Sequence, residues 1–309
     1  MQGATLSMEF KLKLDTLDPH PIIDINDVKF CKLLECKEVL SAALAIEEKY
    51  ELLLSNYLEL EKQALNTTVE RMLYNSHDYS DSFDNRITFN QRIVNLLTST
   101  KLYIDQIQQH VRNCIPTDIT IADSVKQIFS TEYDEVFEYR FMEAMRNYVQ
   151  HRGLAVHLIR YNSKWASMEE HRQMECTVKL FAQKNEVEND KAFKKAVTKE
   201  MPQEVELIFA SRRYVESISK AHVLIRKMIN QPVMDARETL SQEINDYKKM
   251  NNGNALGLTA YSICNQDNSN DVVKKFGIFL DWDDVRIKLI HKNSGLVNLH
   301  KRYVSGTCI

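Results

Sequence analysis

The chain has 309 residues, a formal net charge of −3 and 44% hydrophobic residues, a composition ordinary for a globular protein. Its 7 glycines and 5 prolines are few, since average usage would give roughly 20 and roughly 15. Because tight turns depend on these residues, the composition excludes a β-sandwich, a barrel and a doubly wound sheet, and it predicts long helices. The net charge excludes a positive field over the whole molecule of the kind that attracts nucleic acids.

The 6 cysteines occur without a C-x-x-C pair and without a histidine at metal-ligand spacing. In a chain of this length, the pattern predicts reduced thiols rather than a disulfide framework or a metal site. Residues 1–18 lack the charged start and apolar run of a signal peptide, and no stretch approaches the ~18 apolar residues of a membrane span. We therefore expect a cytoplasmic protein with no metal, no cofactor and no membrane contact.

The N-terminal part is predicted to contain one strand and two long helices. Residues 5–15 alternate apolar and polar side chains, which is typical of a strand. Apolar residues then recur at spacings of three and four over 27–75 and again over 86–113, and the polar segment 76–85 is predicted to be a loop. The two helices are expected to form an antiparallel hairpin that buries one apolar stripe.

A third helix is predicted from Thr120 to His151. Gly153 lies just past its end, where a left-handed conformation would stop the helix. Directly after this glycine, the sequence pattern changes from helical to β-prone. Two β-prone segments, 155–161 and 174–181, are joined by a polar stretch and predict a hairpin.

The C-terminal part is predicted to be helical with one long loop. A helix is expected over 202–250, and Pro232 should kink or divide it. Residues 251–270 are rich in asparagine, glycine and serine, which predicts a loop. A short helix is expected over 282–292.

The predicted fold class is mainly α, a long-helix bundle with a small β-hairpin inserted after the third helix. We expect one helical domain over residues 1–309, with three sub-regions. Residues 1–115 hold the strand and the helical hairpin, 116–250 form a core that carries the β-hairpin at about 154–182, and 251–309 form a C-terminal extension.

A polar arc lies late in the third predicted helix. At about 100° of rotation per residue, an acid, a cation, two amides and an imidazole share one side of this helix, and apolar residues cover the other. Tyr139 and Arg140 fall on the same side at an earlier turn. We define the polar arc as Glu143, Arg146, Asn147, Gln150 and His151.

The polar arc combines groups that bind a phosphate and transfer a proton. The guanidinium of Arg146 stays charged and presents forked donors, and the imidazole of His151 exchanges protons near neutral pH. Asn147 precedes His151 by four residues and is expected to orient its ring. In RNA the 2′-hydroxyl is a built-in nucleophile, so cleavage needs a base, a group that steadies the phosphorus and an acid, without a metal.

The sequence Arg146-Asn147-x-x-x-His151 at a helix end resembles the HEPN motif, in which an arginine precedes a histidine by four to six residues. The resemblance covers these six residues and the helical context over about 85–250. Members of that family are helical-bundle proteins. Many are metal-independent endoribonucleases of toxin–antitoxin, abortive-infection and CRISPR systems. They generally dimerise, so that two motifs form one composite site.

The resemblance implies a role for each residue of the site. Arg146 would stabilise the phosphate, Asn147 would support it and His151 would transfer the proton. Glu143 is the candidate for a further acidic residue that the family often has one turn upstream. Apart from the resemblance, Gln150 and Tyr139 are expected to support the site from the same side of the helix, and Arg140 and Arg152 are expected to contact RNA. The implied protein is a homodimeric, cytoplasmic RNase that leaves 2′,3′-cyclic phosphate ends. It would act as a toxin or anti-phage effector and be restrained by an antitoxin or regulatory protein.

Two other interpretations of the same residues stay open. The chain could be a catalytically inactive HEPN-like module that binds a protein partner or a nucleotide. Arg146 could form a surface ion pair with Glu143, while His151 favours the C-terminal helix dipole. A structural coiled coil is disfavoured because the apolar spacing over 27–75 keeps no strict heptad.

Several charge runs outside the polar arc are predicted to be solvated helix faces. These are Glu47-Glu48, Glu59 to Glu61 and Arg212-Arg213. The acidic run Asp281 to Asp284 is interpreted as the first turn of a helix rather than a metal site, because acids stabilise helix N-termini.

Overall fold

The structure is a computed structural model that describes residues 7–74, 78–165, 174–266, 269–294 and 296–304. The protein is mainly α, with 65% of its residues in helices and 16% in strands, which confirms the predicted fold class. Within the described part of the chain, no helix is both long enough and apolar enough to cross a bilayer.

Residue contacts divide the chain into two compact units, each built from three separate segments. Unit 1 comprises Met1–Glu48, Gln109–Ala122 and Arg226–Lys292. Unit 2 comprises Lys49–Gln108, Asp123–Ile225 and Asn293–Ile309. Three of the five boundaries between these segments fall inside long helices rather than in loops.

Three long helices each supply residues to both units. They are α1 (Asp27–Leu73), α2 (Tyr79–Cys114) and α7 (Leu207–Met250). The predicted extents of α1 and α7 are close to those observed, and Pro232 lies inside a continuous α7. The predicted loop 76–85 is wrong from residue 79 onwards, because α2 begins at Tyr79. The Asp78 carboxylate caps this helix by accepting a hydrogen bond from the Asp81 amide at 2.9 Å. Residues 75–77 lie outside the described part.

The third predicted helix is two helices, α3 (Ile121–Glu135) and α4 (Phe137–His151). Val136 between them is extended, with φ −115° and ψ 112°. Arg140 of α4 donates to the carbonyl oxygens of Tyr133 and Asp134 at 2.8 and 2.7 Å. A helix end leaves such carbonyls without partners, so this side chain stabilises the break. No proline or glycine marks it in the sequence.

The predicted hairpin after the motif helix is confirmed in unit 2. Strands β3 (Leu158–Trp165) and β4 (Met174–Gln183) pair antiparallel, and a third strand, β5 (Glu204–Glu206), extends the sheet in the order β3-β4-β5. Short helices α5 (Lys184–Val187) and α6 (Lys195–Glu200) lie between β4 and β5. Residues 204–206, which were predicted to lie at the start of the last long helix, therefore form β5 instead.

Unit 1 contains a four-stranded sheet in the order β2-β1-β6-β7. Strand β1 (Ser7–Leu14) confirms the predicted N-terminal strand, and β2 is Ile23–Ile25. The predicted loop 251–270 is wrong from residue 258 onwards, because β6 (Leu258–Gln266) and β7 (Ser269–Gly277) form a hairpin there. The predicted helix before the C-terminus is confirmed as α8 (Asp281–Lys292), and a 3₁₀ turn spans Leu299–Lys301.

Charged side chains that were predicted to face solvent are partly buried in pairs. Glu47 is 2% exposed, and its carboxylate receives two hydrogen bonds from Arg226 at 2.8 and 2.6 Å. Glu61 receives two bonds from Arg212, both at 2.7 Å. The prediction of solvated faces is therefore wrong at these positions. A helix that packs on both sides must bury some polar residues, and partners make this burial tolerable.

The acidic run in α8 occupies the first turn of that helix, as predicted. Asp283 is fully buried and accepts hydrogen bonds from Arg286 at 2.5 and 3.0 Å and from Arg237. Its carboxylate is therefore neutralised by arginines. Among the described residues, no group of histidine, cysteine, aspartate or glutamate side chains is placed to hold a metal ion.

Candidate functional site

The polar arc lies on α4 as the helical period predicts. The opposite face of α4 is buried through six residues: Tyr139, Phe141, Met142, Ala144, Met145 and Tyr148. Glu143, Arg146 and Asn147 are half-buried, while Gln150 and His151 are exposed at the end of the helix. The apolar face thus fixes α4 in unit 2, and the arc is open to solvent at its C-terminal end.

Arg146 is held by amide oxygens rather than by an acid. One terminal nitrogen donates to Oε1 of Gln150 at 3.0 Å, and the other donates to Oδ1 of Asn147 at 2.7 Å. In the described part of the chain, no carboxylate oxygen lies within 4.0 Å of its guanidinium nitrogens. Its Nε is buried without a hydrogen-bond partner. The positive charge is therefore oriented but not neutralised.

Glu143 is bound by a residue that the sequence did not point to. The hydroxyl of Tyr214, on α7, donates a short hydrogen bond to Oε1 of Glu143. Tyr214 is fully buried, and its ring meets that of Tyr139 edge-on at 5.1 Å. Burial and the charge of Glu143 raise the pKa of Tyr214 well above its usual range, against an opposing effect of Arg146. The hydroxyl therefore stays protonated and keeps donating.

This arrangement bears on two expectations about the polar arc. The ion pair between Glu143 and Arg146 is not formed, so that alternative for Arg146 does not describe this structure. The expected contact of Asn147 with His151 is not formed either. Instead, Oδ1 of Asn147 accepts a hydrogen bond from Arg146. Within the residues that the structure describes, the His151 ring makes no hydrogen bond and faces solvent.

Of the other predicted site residues, Tyr139 and Arg140 serve the packing of unit 2. Tyr139 is 3% exposed and lies between Tyr133 and Tyr214, so its ring is not accessible to a base. Arg140 caps α3 and also binds Glu200 at 2.6 Å, which leaves its terminal nitrogens occupied. The assignment of Arg140 to RNA contact is corrected for that reason, while Tyr139 can support the site only by packing against Tyr214. Arg152 is exposed, and its Nε lies 3.5 Å from Asp190.

Gly153 is required for space rather than for a left-handed backbone. Its φ is not positive, and a Cβ built on it would lie 2.5 Å from the hydroxyl oxygen of Tyr148. The prediction of a left-handed cap is therefore wrong. Tyr148 in turn packs edge-on against His157, whose Nδ1 accepts a hydrogen bond from the Gln183 amide at 2.9 Å. Burial lowers the pKa of His157, so this ring is a neutral structural group.

Comparison with known protein families, with curated proteins and with solved structures finds no match for this chain.

Proposed function

We propose that this protein is a metal-independent endoribonuclease whose site is the polar arc of α4. The observation that supports this most directly is the state of Arg146. Amides orient its guanidinium and no described carboxylate neutralises it, while an exposed imidazole, that of His151, follows within the same helix. A guanidinium in this state binds phosphate oxygens, and an accessible imidazole exchanges protons at neutral pH.

The proposed reaction is an internal transfer within RNA. An imidazole takes the proton of the 2′-hydroxyl, and the 2′-oxygen forms a bond to the neighbouring phosphorus. The bond from phosphorus to the 5′-oxygen breaks, and that oxygen takes a proton from a second group, which acts as the acid. Arg146 stabilises the charge on the non-bridging oxygens. The products are a 2′,3′-cyclic phosphate and a free 5′-hydroxyl.

A second copy of the chain would complete this site. One His151 serves as base or as acid, so a two-fold arrangement would supply both from two subunits, as the resemblance to HEPN proteins implies. On the same resemblance, the enzyme would be a cytoplasmic toxin or anti-phage effector restrained by an antitoxin or regulatory protein. These roles for RNA, a second subunit and a restraining partner are part of the proposal.

The proposal is tested by incubating the full chain with RNA in excess EDTA. We expect cleavage to 2′,3′-cyclic phosphate ends, and a loss of about 100-fold or more in Arg146→Ala and in His151→Ala. DNA of the same sequence should stay intact because it lacks the nucleophile. Arg112→Ala, an exposed arginine in α2, is the matched control and should cleave as the unaltered protein does.

Two outcomes would contradict the proposal. Cleavage that survives both substitutions would remove the polar arc as the site. RNA binding without cleavage, lost in Arg146→Ala, would favour the inactive binding module instead.

A further inference from the structure

Glu143 and Arg146 stand in a spacing that normally produces an ion pair. Residues three apart are neighbours on a helix surface, and an acid that precedes a cation by three is a favourable order. The described helices of this chain contain four other pairs with the same order and spacing, and each is joined. They are Glu59–Lys62 at 2.9 Å, Asp123–Lys126 at 4.0 Å, Asp246–Lys249 at 2.7 Å and Asp283–Arg286 at 2.5 Å.

The exception at Glu143 has a visible cause. The Tyr214 hydroxyl occupies Oε1 of Glu143, and burial against Tyr139 fixes the tyrosine ring. Arg146 instead turns its terminal nitrogens to the amides of Asn147 and Gln150. The carboxylate is thus engaged by a neutral donor from another helix, one turn before the guanidinium that it would otherwise neutralise.

We propose that Tyr214 is a positioning residue that keeps Arg146 available to an anionic ligand. It acts through Glu143 and does not touch the ligand. Without its hydroxyl, Glu143 is free to close the ion pair with Arg146 and to compete with phosphate oxygens for the same nitrogens. This inference rests on the proposed function in one respect, the role of Arg146 as the group that binds the RNA phosphate.

The test is a cycle of four proteins: the unaltered chain, Tyr214→Phe, Glu143→Gln and the double variant. Affinity is measured for a 2′-O-methyl RNA oligonucleotide, which cannot be cleaved, by fluorescence anisotropy. Tyr214→Phe should weaken binding on the order of tenfold, the effect of one charge-assisted hydrogen bond. The same change made in the Glu143→Gln background should alter affinity less than about twofold, because no carboxylate remains to compete.

Tyr57→Phe is the matched control. The Tyr57 hydroxyl also donates to a glutamate, Glu61, at 2.7 Å, but both residues lie on α1. Its loss should leave RNA affinity unchanged. Since phenylalanine keeps the tyrosine ring, far-ultraviolet circular dichroism should show the same helix content in all five proteins.

A second readout separates this inference from the proposed function. Phenylglyoxal modifies accessible arginines, and the rate at Arg146 can be followed by peptide mass spectrometry without RNA. The rate should fall several-fold in Tyr214→Phe and recover in the double variant. If the unaltered protein binds no RNA while this pattern holds, the proposed function fails and the positioning role stands. If Tyr214→Phe has no effect on either readout, or the same effect in both backgrounds, the positioning role is overturned.

Discussion

Two arginines on α4 show how the hydrogen-bond partners of a side chain determine its role. Arg140 binds two backbone carbonyls at the end of α3 and the carboxylate of Glu200. Arg146 binds only neutral amides. Both were candidates for contact with RNA on the sequence, where they differ only by position on the helix. In the structure, Arg140 holds two helices in place, and Arg146 is left with an unneutralised charge.

The two arginines should therefore respond oppositely to truncation. Arg140→Ala should lower the free energy of unfolding by about 2 kcal/mol, because it leaves carbonyls and a carboxylate without donors. Arg146→Ala should lower it by less than about 0.5 kcal/mol, because its Nε has no hydrogen-bond partner to lose and its terminal nitrogens bind only neutral amides. Urea denaturation followed by circular dichroism measures both. Equal losses would show that Arg146 is also a packing residue.

Helical periodicity was sufficient to place the polar arc, because the positions of Arg146, Asn147 and His151 on one side follow from local geometry alone. Tyr214 could not be found in this way. It is 71 residues from Glu143, and its hydrogen bond depends on how α4 and α7 pack. The local sequence pattern therefore predicts which side chains share a helix face, while the hydrogen-bond partner of each side chain depends on long-range contacts.

At the scale of elements, the long helices bury charge as well as apolar surface. In unit 1, Glu47 of α1 and Arg226 of α7 form a two-bond pair in which the glutamate is almost fully enclosed. An ion pair of this kind is costly to break from one side, because the remaining charge stays buried. The pair therefore fixes which faces of the two helices meet.

Arg226→Met should destabilise the protein by roughly 3–5 kcal/mol, since it removes a cation that gives the buried Glu47 carboxylate two hydrogen bonds. Combining it with Glu47→Leu should recover most of this loss, because an apolar pair of similar volume carries no uncompensated charge. Urea titration of both variants provides the comparison. Lys62→Ala, which breaks the exposed pair with Glu59, is the control and should change nothing measurable. A double variant as unstable as Arg226→Met would contradict this account.

The elements that were predicted well are those with a strong and long period. Helix α1 matches its prediction closely, and so do strands β1 and β4, while β3 begins three residues later than predicted and extends to Trp165. The hairpin of β6 and β7 was missed because asparagine, glycine and serine dominate the sequence from 251 to 270. Only the first part of that stretch is a turn, where Gly253 and Gly257 have positive φ. The break at Val136 was missed because Arg140, rather than a proline or glycine, stabilises it.

At the scale of the whole molecule, continuity of α1, α2 and α7 is the main organising feature. Each helix supplies one segment to unit 1 and another to unit 2. Helix formation is cooperative, and a helix is costly to end in its middle. The chain is therefore expected to unfold as one cooperative system even though its contacts form two clusters.

Native-state hydrogen exchange along α7 tests this expectation. Peptides covering 207–225 and 233–250 should open with the same free energy, within about 1 kcal/mol. The first peptide reports unit 2 and the second reports unit 1. A difference greater than about 2 kcal/mol would mean that the units open independently and that one half of α7 can unfold while the other stays helical.

The absence of room above Gly153 constrains how this protein can vary. The Tyr148 ring fills the place of a Cβ there, and it belongs to the same final turn of α4 as His151. Any larger residue at 153 must displace the Tyr148 ring or the backbone that leaves α4. Lineages that change this glycine would therefore disturb the packing that holds the final turn of α4, the turn that also carries His151.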